Sequence, residues 1–279
     1  MTSKRFLILG LLILLAGLSF FFGLRWFEKA VTFHPVRYTS SDQPLRPPGA
    51  TDVSFLTADG LRLHGWFFAS KVTPARATVI FFHGNSGNIA NVGWLGEQLA
   101  ARNFDVLVFD YRGYGMSEGA TSDESGLYAD ADAAYEYVRG RGVPPERIVL
   151  YGQSLGTTAV ADLASRRQCG AIILESGLSS ASDMASQVLP WLPHWLHFVA
   201  RNRFESARKL ATVTCPVLVT HGEPDPEIPT AQGRKLFSAA NEPRKLMIFP
   251  GAGHNVFGSQ GETYLNSLAA FVDEALKRR

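Results

Sequence analysis

Three short stretches of the chain hold the residue types that acyl transfer needs. Gly152-Gln153-Ser154-Leu155-Gly156 follows the apolar run Ile148-Val149-Leu150-Tyr151 and precedes a small, helix-compatible segment over 157–165. A serine between two such glycines, with a strand before it and a helix after it, sits on a sharp turn that lifts its hydroxyl clear of the sheet. The glycines carry no Cβ, so strand and helix can cross closely there. Taken alone, the five residues also suit a plain Gly-rich turn that happens to hold a serine.

A serine hydroxyl is a poor nucleophile at neutral pH and needs a base within hydrogen-bond reach. Of the seven histidines, His254 lies in Gly251-Ala252-Gly253-His254-Asn255, a glycine-rich loop just past the apolar run 246–249. The base in turn needs an acid to fix its tautomer and stabilise the imidazolium. Asp225, in His221-Gly222-Glu223-Pro224-Asp225-Pro226-Glu227, lies just past the preceding run. Glu223 and Glu227 on the same loop are rivals for that role, and so is Glu175 at the end of another run. A developing oxyanion needs main-chain donors held in place beforehand. The N–H of Leu155, next after the serine, is one. The N–H of Asn85, in His83-Gly84-Asn85 after the run 78–82, is the second, with His83 read as structural.

The elements that must position these residues follow from hydropathy. Continuous apolar runs at 78–82, 106–109, 148–151, 171–174, 217–220 and 246–249 alternate with segments of helical spacing at 89–102, 124–139, 157–165, 230–240 and 264–276. Short buried strands alternating with longer helices predict βαβ units, and strands apolar throughout predict a parallel sheet covered on both faces. Such sheets collect ligands at the carboxyl ends of their strands. Each cluster named above falls at such an end. A hairpin is expected from 52–56 and 61–68 around Asp59-Gly60. The segment 177–209 breaks the alternation. It carries Met184, Val188, Leu189, Trp191, Leu192, Trp195, Leu196, Phe198 and Val199, interrupted by Pro190 and Pro193, and reads as a short helical cap over an acyl-binding pocket. His194 and His197 within it read as solvated or packed.

At the amino end, 6–24 is apolar except for Ser19 and three glycines, with Lys4 and Arg5 before it and Arg25, Trp26, Phe27 and Lys29 after it. At about 1.5 Å per residue it reaches roughly 28 Å, the thickness of a bilayer's hydrocarbon. A cleaved signal peptide is the competing reading, but Phe20, Phe21 and Phe22 prolong the run beyond an ordinary signal core. We therefore expect a transmembrane anchor over 1–27, a Pro-, Ser- and Arg-rich linker over 28–51, and a catalytic domain over 52–279 that includes the cap. A signal-anchor with its short tail inside would place that domain on the exported side, the side slightly favoured. Lys and Arg total 27 against 25 Asp and Glu, with no basic stripe, which excludes a nucleic-acid surface. Cys169 and Cys215 have neither metal-ligand spacing nor the density of a disulfide framework. They read as packed thiols, able to bridge only if their strands are neighbours in an oxidising compartment. No metal or cofactor is implied.

The chain resembles the α/β-hydrolase superfamily over about 52–279. The resemblance is carried by Phe81-Phe82-His83-Gly84-Asn85, Phe109-Asp110-Tyr111-Arg112-Gly113-Tyr114-Gly115, Leu127-Tyr128-Ala129-Asp130, the stretch 151–156, His221-Gly222-Glu223-Pro224-Asp225 and Arg203-Phe204-Glu205-Ser206. It is most similar to the N-terminally anchored subgroup that includes protein depalmitoylases and to serine aminopeptidase-like hydrolases. The resemblance implies an eight-stranded, mostly parallel sheet, a triad Ser154–Asp225–His254 in the order usual for that fold, and hydrolysis through an acyl-enzyme. The depalmitoylases attach to membranes through an N-terminal cysteine cluster, which this chain replaces with a spanning helix. The expected activity is cleavage of a carboxylic ester or thioester in a small-molecule or lipid-like substrate. A serine peptidase is the alternative within enzymes, and a non-catalytic membrane scaffold the alternative outside them.

Overall fold

The computed structural model describes residues 2–38, 46–121, 123–188, 190–191 and 200–277, with side chains from residue 6 onward. The strands in chain order are β1 (His34–Pro35), β2 (Ala50–Leu56), β3 (Arg62–Phe68), β4 (Thr78–Phe82), β5 (Ser86–Gly87), β6 (Asp105–Phe109), β7 (Ile148–Gln153), β8 (Ala171–Glu175), β9 (Val217–Glu223) and β10 (Arg244–Pro250). The helices are α1 (Thr2–Thr32), α2 (Gly93–Ala100), α3 (Glu124–Gly140), α4 (Gly156–Arg166), α5 (Ala181–Val188), α6 (Ser206–Leu210), α7 (Thr230–Ala239) and α8 (Val256–Lys277).

Eight strands form one sheet in the order β10-β9-β8-β7-β4-β6-β3-β2. The β2–β3 hairpin and the β3–β6 pair are antiparallel, and the rest of the sheet is parallel. The strands are apolar along their whole length because the two faces of the sheet feed two cores. Ile80, Phe82, Leu107, Phe109, Leu150 and Leu174 face the core built with α3, α4, α6 and α7. Their neighbours in sequence, Val79, Phe81, Val106, Val108, Val149 and Ile173, face the core built with α2 and α8. A period of two thus places successive residues on opposite faces, both buried. Each fully buried Phe or Leu contributes about 1.5–3 kcal/mol.

The expected helix over 264–276 is longer than the sequence pattern suggested. α8 begins at Val256 and kinks at Gly261 (φ +49°, ψ −124°). Its first turns hold two glycines and few periodic apolar residues, so propensity alone does not mark them. A buried carboxylate from β8 holds them instead, as described below. Of the cap, α5, α6 and residues 200–205 are described, and Arg201 pairs with Asp123 ahead of α3. Leu189, Leu192, Trp195, Leu196, Phe198 and Val199, expected to line an acyl pocket, lie outside the described residues, as do His194 and His197, read as solvated or packed.

Part of the segment expected as a linker over 28–51 is ordered against the domain. α1 runs on to Thr32, Phe33 is buried in the larger core, and β1 pairs with β5 in a two-stranded parallel sheet. A two-residue strand is too short to leave a hydropathy period, so the sequence gives no sign of it. Cys169 and Cys215, just ahead of the neighbouring strands β8 and β9, are buried with Sγ atoms 3.3 Å apart.

Candidate active site

β7 ends at Gln153 and α4 starts at Gly156, so Ser154 and Leu155 make the whole turn. Ser154 has φ +53°, the left-handed region that costs a non-glycine residue about 1–3 kcal/mol. The conformation is locked by Ser154 N–H donating to Glu175 O at 2.9 Å, and by Thr157 N–H and Oγ1–H donating to Ser154 O at 3.0 and 2.6 Å. Leu155 returns to right-handed backbone, φ −51° and ψ −38°. Left-handed followed by right-handed backbone turns successive N–H groups toward one side, a concavity suited to an anion. The glycines are required by contact. A Cβ on Gly156 would lie 2.0 Å from Phe82 O, and one on Gly152 would lie 2.6 Å from Gly156 O. Gly156→Ala is therefore expected to destabilise the protein by about 3 kcal/mol or more, read as a lowered urea midpoint. An unchanged midpoint would mean that α4 can move off β4 without loss.

Asp225 and His254 come together on the loops that follow β9 and β10. Asp225 Oδ1 accepts the N–H groups of Glu227 and Ile228 at 2.9 and 3.0 Å. His254 Nδ1–H donates to Asp225 Oδ2 at 2.8 Å, and His221 Nε2 lies 3.1 Å from the same oxygen. Burial pushes the Asp225 carboxyl up, but the bonds from His221, His254 and the Ile228 main chain outweigh it and hold the carboxyl well below the usual range. Burial likewise pushes His254 down, and the Asp225 bond and charge more than reverse this, so its pKa is raised. The Nδ1–H bond fixes the tautomer and leaves Nε2 as the basic nitrogen. Glu227 Oε2 lies 3.8 Å from that Nε2, beyond hydrogen-bond range.

The turn after β4 lies against the serine: the Cβ direction of Gly84 ends 3.5 Å from Ser154 Cβ. His83 Nδ1–H donates to Gly84 O at 2.7 Å. Gly84 C=O and Asn85 N–H belong to one planar trans peptide and point in opposite directions, so this bond also aims the Asn85 N–H. Tyr111 OH donates to His83 O at 2.9 Å and Tyr114 OH to Asn85 O at 2.7 Å. Burial lowers His83 to about 4 and raises the neighbouring Asp110 to about 8. Both shifts favour the uncharged form of the group.

The family described as serine aminopeptidase, S33, matches residues 73–209. The uncharacterized protein YfhR of Escherichia coli (strain K12) is 37% identical over 244 residues, covering 82% of this chain and 83% of YfhR. The chain belongs to the α/β-hydrolase superfamily. Alpha/beta hydrolase domain-containing protein 17C of Mus musculus is 37% identical over 214 residues, 76% of this chain and 64% of that protein. The Pyrococcus furiosus esterase Pf2001 superposes with a TM-score of 0.69 at 19% identity, covering 88% of this chain and 98% of the esterase, a likeness of fold. This α/β-hydrolase is accordingly a hydrolase by family.

Within the α/β-hydrolase frame two of the rival carboxylates, Glu223 and Glu175, are engaged elsewhere. Glu223 is exposed and lies 3.6 Å from Arg234. Glu175 is fully buried at the end of β8 and faces the start of α8. Its Oε1 accepts the N–H groups of Val256 and Phe257 at 2.9 and 3.2 Å. Its Oε2 accepts from Tyr264 OH at 3.0 Å and from Tyr151 OH. Burial raises its pKa, although these bonds oppose the shift. Glu175 thus serves as a remote N-cap for the helix that begins two residues after His254. Sequence reading missed this role, and also the support that His221 gives Asp225 from four residues upstream. A histidine ending one strand and a glutamate ending the next were the available signals. Arg112 of the aromatic–glycine motif is held by Asp130 at 2.8 Å and Asp59 at 2.9 Å, which fixes the strand end beneath the turn.

Glu175→Gln is expected to retain activity within about tenfold, because the amide can accept the two N–H groups and donate to the tyrosines. Glu175→Ala should destabilise by about 3–5 kcal/mol through the unpaired groups it leaves buried. A loss near 10⁴-fold in the glutamine variant with its fold intact would instead move the acid's role to Glu175.

Proposed function

We propose that this protein is a membrane-anchored serine hydrolase that cleaves carboxylic ester or thioester bonds through an acyl-enzyme. Ser154 attacks the carbonyl carbon and His254 Nε2 takes its proton. Asp225 orients His254 and stabilises the imidazolium. The N–H groups of Asn85 and Leu155 hold the oxyanion. The protonated His254 then delivers its proton to the leaving alcohol or thiol, and water, activated by the same nitrogen, releases the acid. The observation that carries this reading is the 2.8 Å bond from His254 to a buried Asp225; the left-handed backbone of Ser154 on the turn after β7 supports it.

Membrane attachment is supported by the helix Phe6–Thr32, whose most apolar stretch of 18 residues has a mean hydropathy of 2.6 and is nowhere buried in the rest of the chain. A signal sequence has the same appearance, and membrane extraction of the full chain with mass measurement of its amino terminus separates the two. The matched family's description favours a peptidase as the second reading.

A fluorophosphonate probe tests the nucleophile, and p-nitrophenyl esters, acyl thioesters and aminoacyl p-nitroanilides test the bond. Labelling with turnover of esters or thioesters supports the proposal. Absence of labelling overturns the serine mechanism, and turnover of anilides alone overturns the ester reading.

A further inference from the structure

We propose that residues 33–38, which leave the apolar helix, position the oxyanion donor, with His34 the positioning residue for Asn85. This rests on the role given to Asn85 above. The segment meets the site at the residue where positioning matters most. His34 N–H donates to Asn85 O at 2.9 Å, and Asn85 Nδ2–H donates to His34 Nδ1 at 3.2 Å, the ring then carrying its proton on Nε2. Val36 N–H donates to Gly87 O at 3.1 Å, and Asn88 Nδ2–H donates back to Val36 O at 3.0 Å.

Both ends of the segment are fastened independently. Phe33 is buried in the larger core, only 7% exposed. The Arg37 guanidinium donates to Ser117 O and Gly119 O at 3.2 and 2.9 Å, and Gly115 N–H donates to Val36 O at 3.0 Å. One turn before the end of α1, Glu28 accepts the N–H groups of Arg201 and Asn202 at 3.1 and 2.5 Å.

Asn85 is consequently gripped on each of its parts. His83 fixes the peptide that bears its N–H, Tyr114 and His34 N–H share its carbonyl, and His34 Nδ1 takes its side chain. A pairing of only two residues adds little to global stability, since isolated short ladders are marginal. Its effect falls on the direction of one peptide. A donor aimed at charge that develops only in the transition state alters kcat and leaves KM largely untouched.

The test uses the full chain in detergent or nanodiscs, with competent sites counted by fluorophosphonate titration. His34→Ala removes the side-chain bond. His34→Pro also removes the main-chain N–H. His34→Asn returns an acceptor, because Asn Oδ1 occupies the position of His Nδ1. We expect kcat per titrated site to fall about 3–10-fold in the alanine variant and about 100-fold in the proline variant, with KM within about twofold and most of the alanine loss recovered by asparagine. A merely structural segment would lower the thermal midpoint and the number of titratable sites but not kcat per site. Wild-type kcat per site in both the alanine and proline variants overturns the proposal, as does a loss confined to KM. If the proline variant does not fold, equal kcat in the alanine and asparagine variants overturns it. A wild-type chain that neither labels nor turns over any ester overturns the function reading as well, which distinguishes the two failures.

Discussion

Ser154→Ala should lower kcat on the order of 10⁶-fold and abolish fluorophosphonate labelling, with the fold unchanged. The size of the effect follows from what the residue does in the proposed reaction. Every later step passes through the bond formed by Ser154 Oγ, and no neighbouring group replaces it. Alanine fits because Ser154 Oγ is not used to build the turn: the locking bonds run through the Ser154 N–H and C=O. Thermal unfolding should therefore be near wild type. Residual turnover of about 10³-fold over water is expected from the oxyanion donors and binding alone. The measurement is single-turnover hydrolysis of a p-nitrophenyl ester beside probe labelling. Equal labelling of the alanine variant would place the nucleophile elsewhere.

Asp225→Asn should cost about 10⁴-fold in kcat. The asparagine keeps an oxygen for Glu227 and Ile228 N–H, so the loop survives. Its amide nitrogen then faces His254 Nδ1, which must become an acceptor, and the proton moves to Nε2 where the base is needed. The pH profile carries a second signature. His254 must be neutral to act, and in the native protein the Asp225 bond and charge overcome burial to raise its pKa. The acid limb of kcat/KM should therefore lie above the ordinary histidine value near 6.5, with activity rising as pH increases through it. In the asparagine variant that support is gone, so the limb should move down while the plateau collapses. A retained plateau with an unmoved limb would show that Asp225 does not orient the base.

Much of the sheet could be read from the sequence because its signal is local. Each parallel strand is a short apolar run, and each chemical cluster sits where such a run stops. The turn that holds Ser154 was legible for the same reason: Gly152 and Gly156 are needed wherever β7 and α4 approach this closely. The choice among Asp225, Glu175, Glu223 and Glu227 was not legible from composition, because all four end or follow strands. Only the packed arrangement turns Glu175 toward the N–H groups of α8 and Asp225 toward His254. The start of α8 was hidden because its first turn is stabilised by a carboxylate 81 residues earlier in the chain. The segment 33–38 was hidden because its partners, Asn85, Gly87 and Gly115, are distant in sequence and mostly engaged through the main chain. Such contacts leave no trace in side-chain type.

The short distance between the end of α1 and Asn85 bears on how a substrate would be counted. Only Phe33 separates Thr32 from His34, two residue steps or at most about 7 Å of chain. The polar layer on each side of a bilayer is of similar depth, about 6 Å. With 6–24 set across a membrane, the eight residues on to Thr32 carry α1 about 12 Å past the hydrocarbon, and the reacting carbonyl would sit at the outer edge of the lipid headgroups. An amphiphilic ester could then arrive by diffusing within its own leaflet. The quantity governing rate would be its mole fraction at the surface, and diluting vesicles at fixed composition would leave turnover per enzyme unchanged.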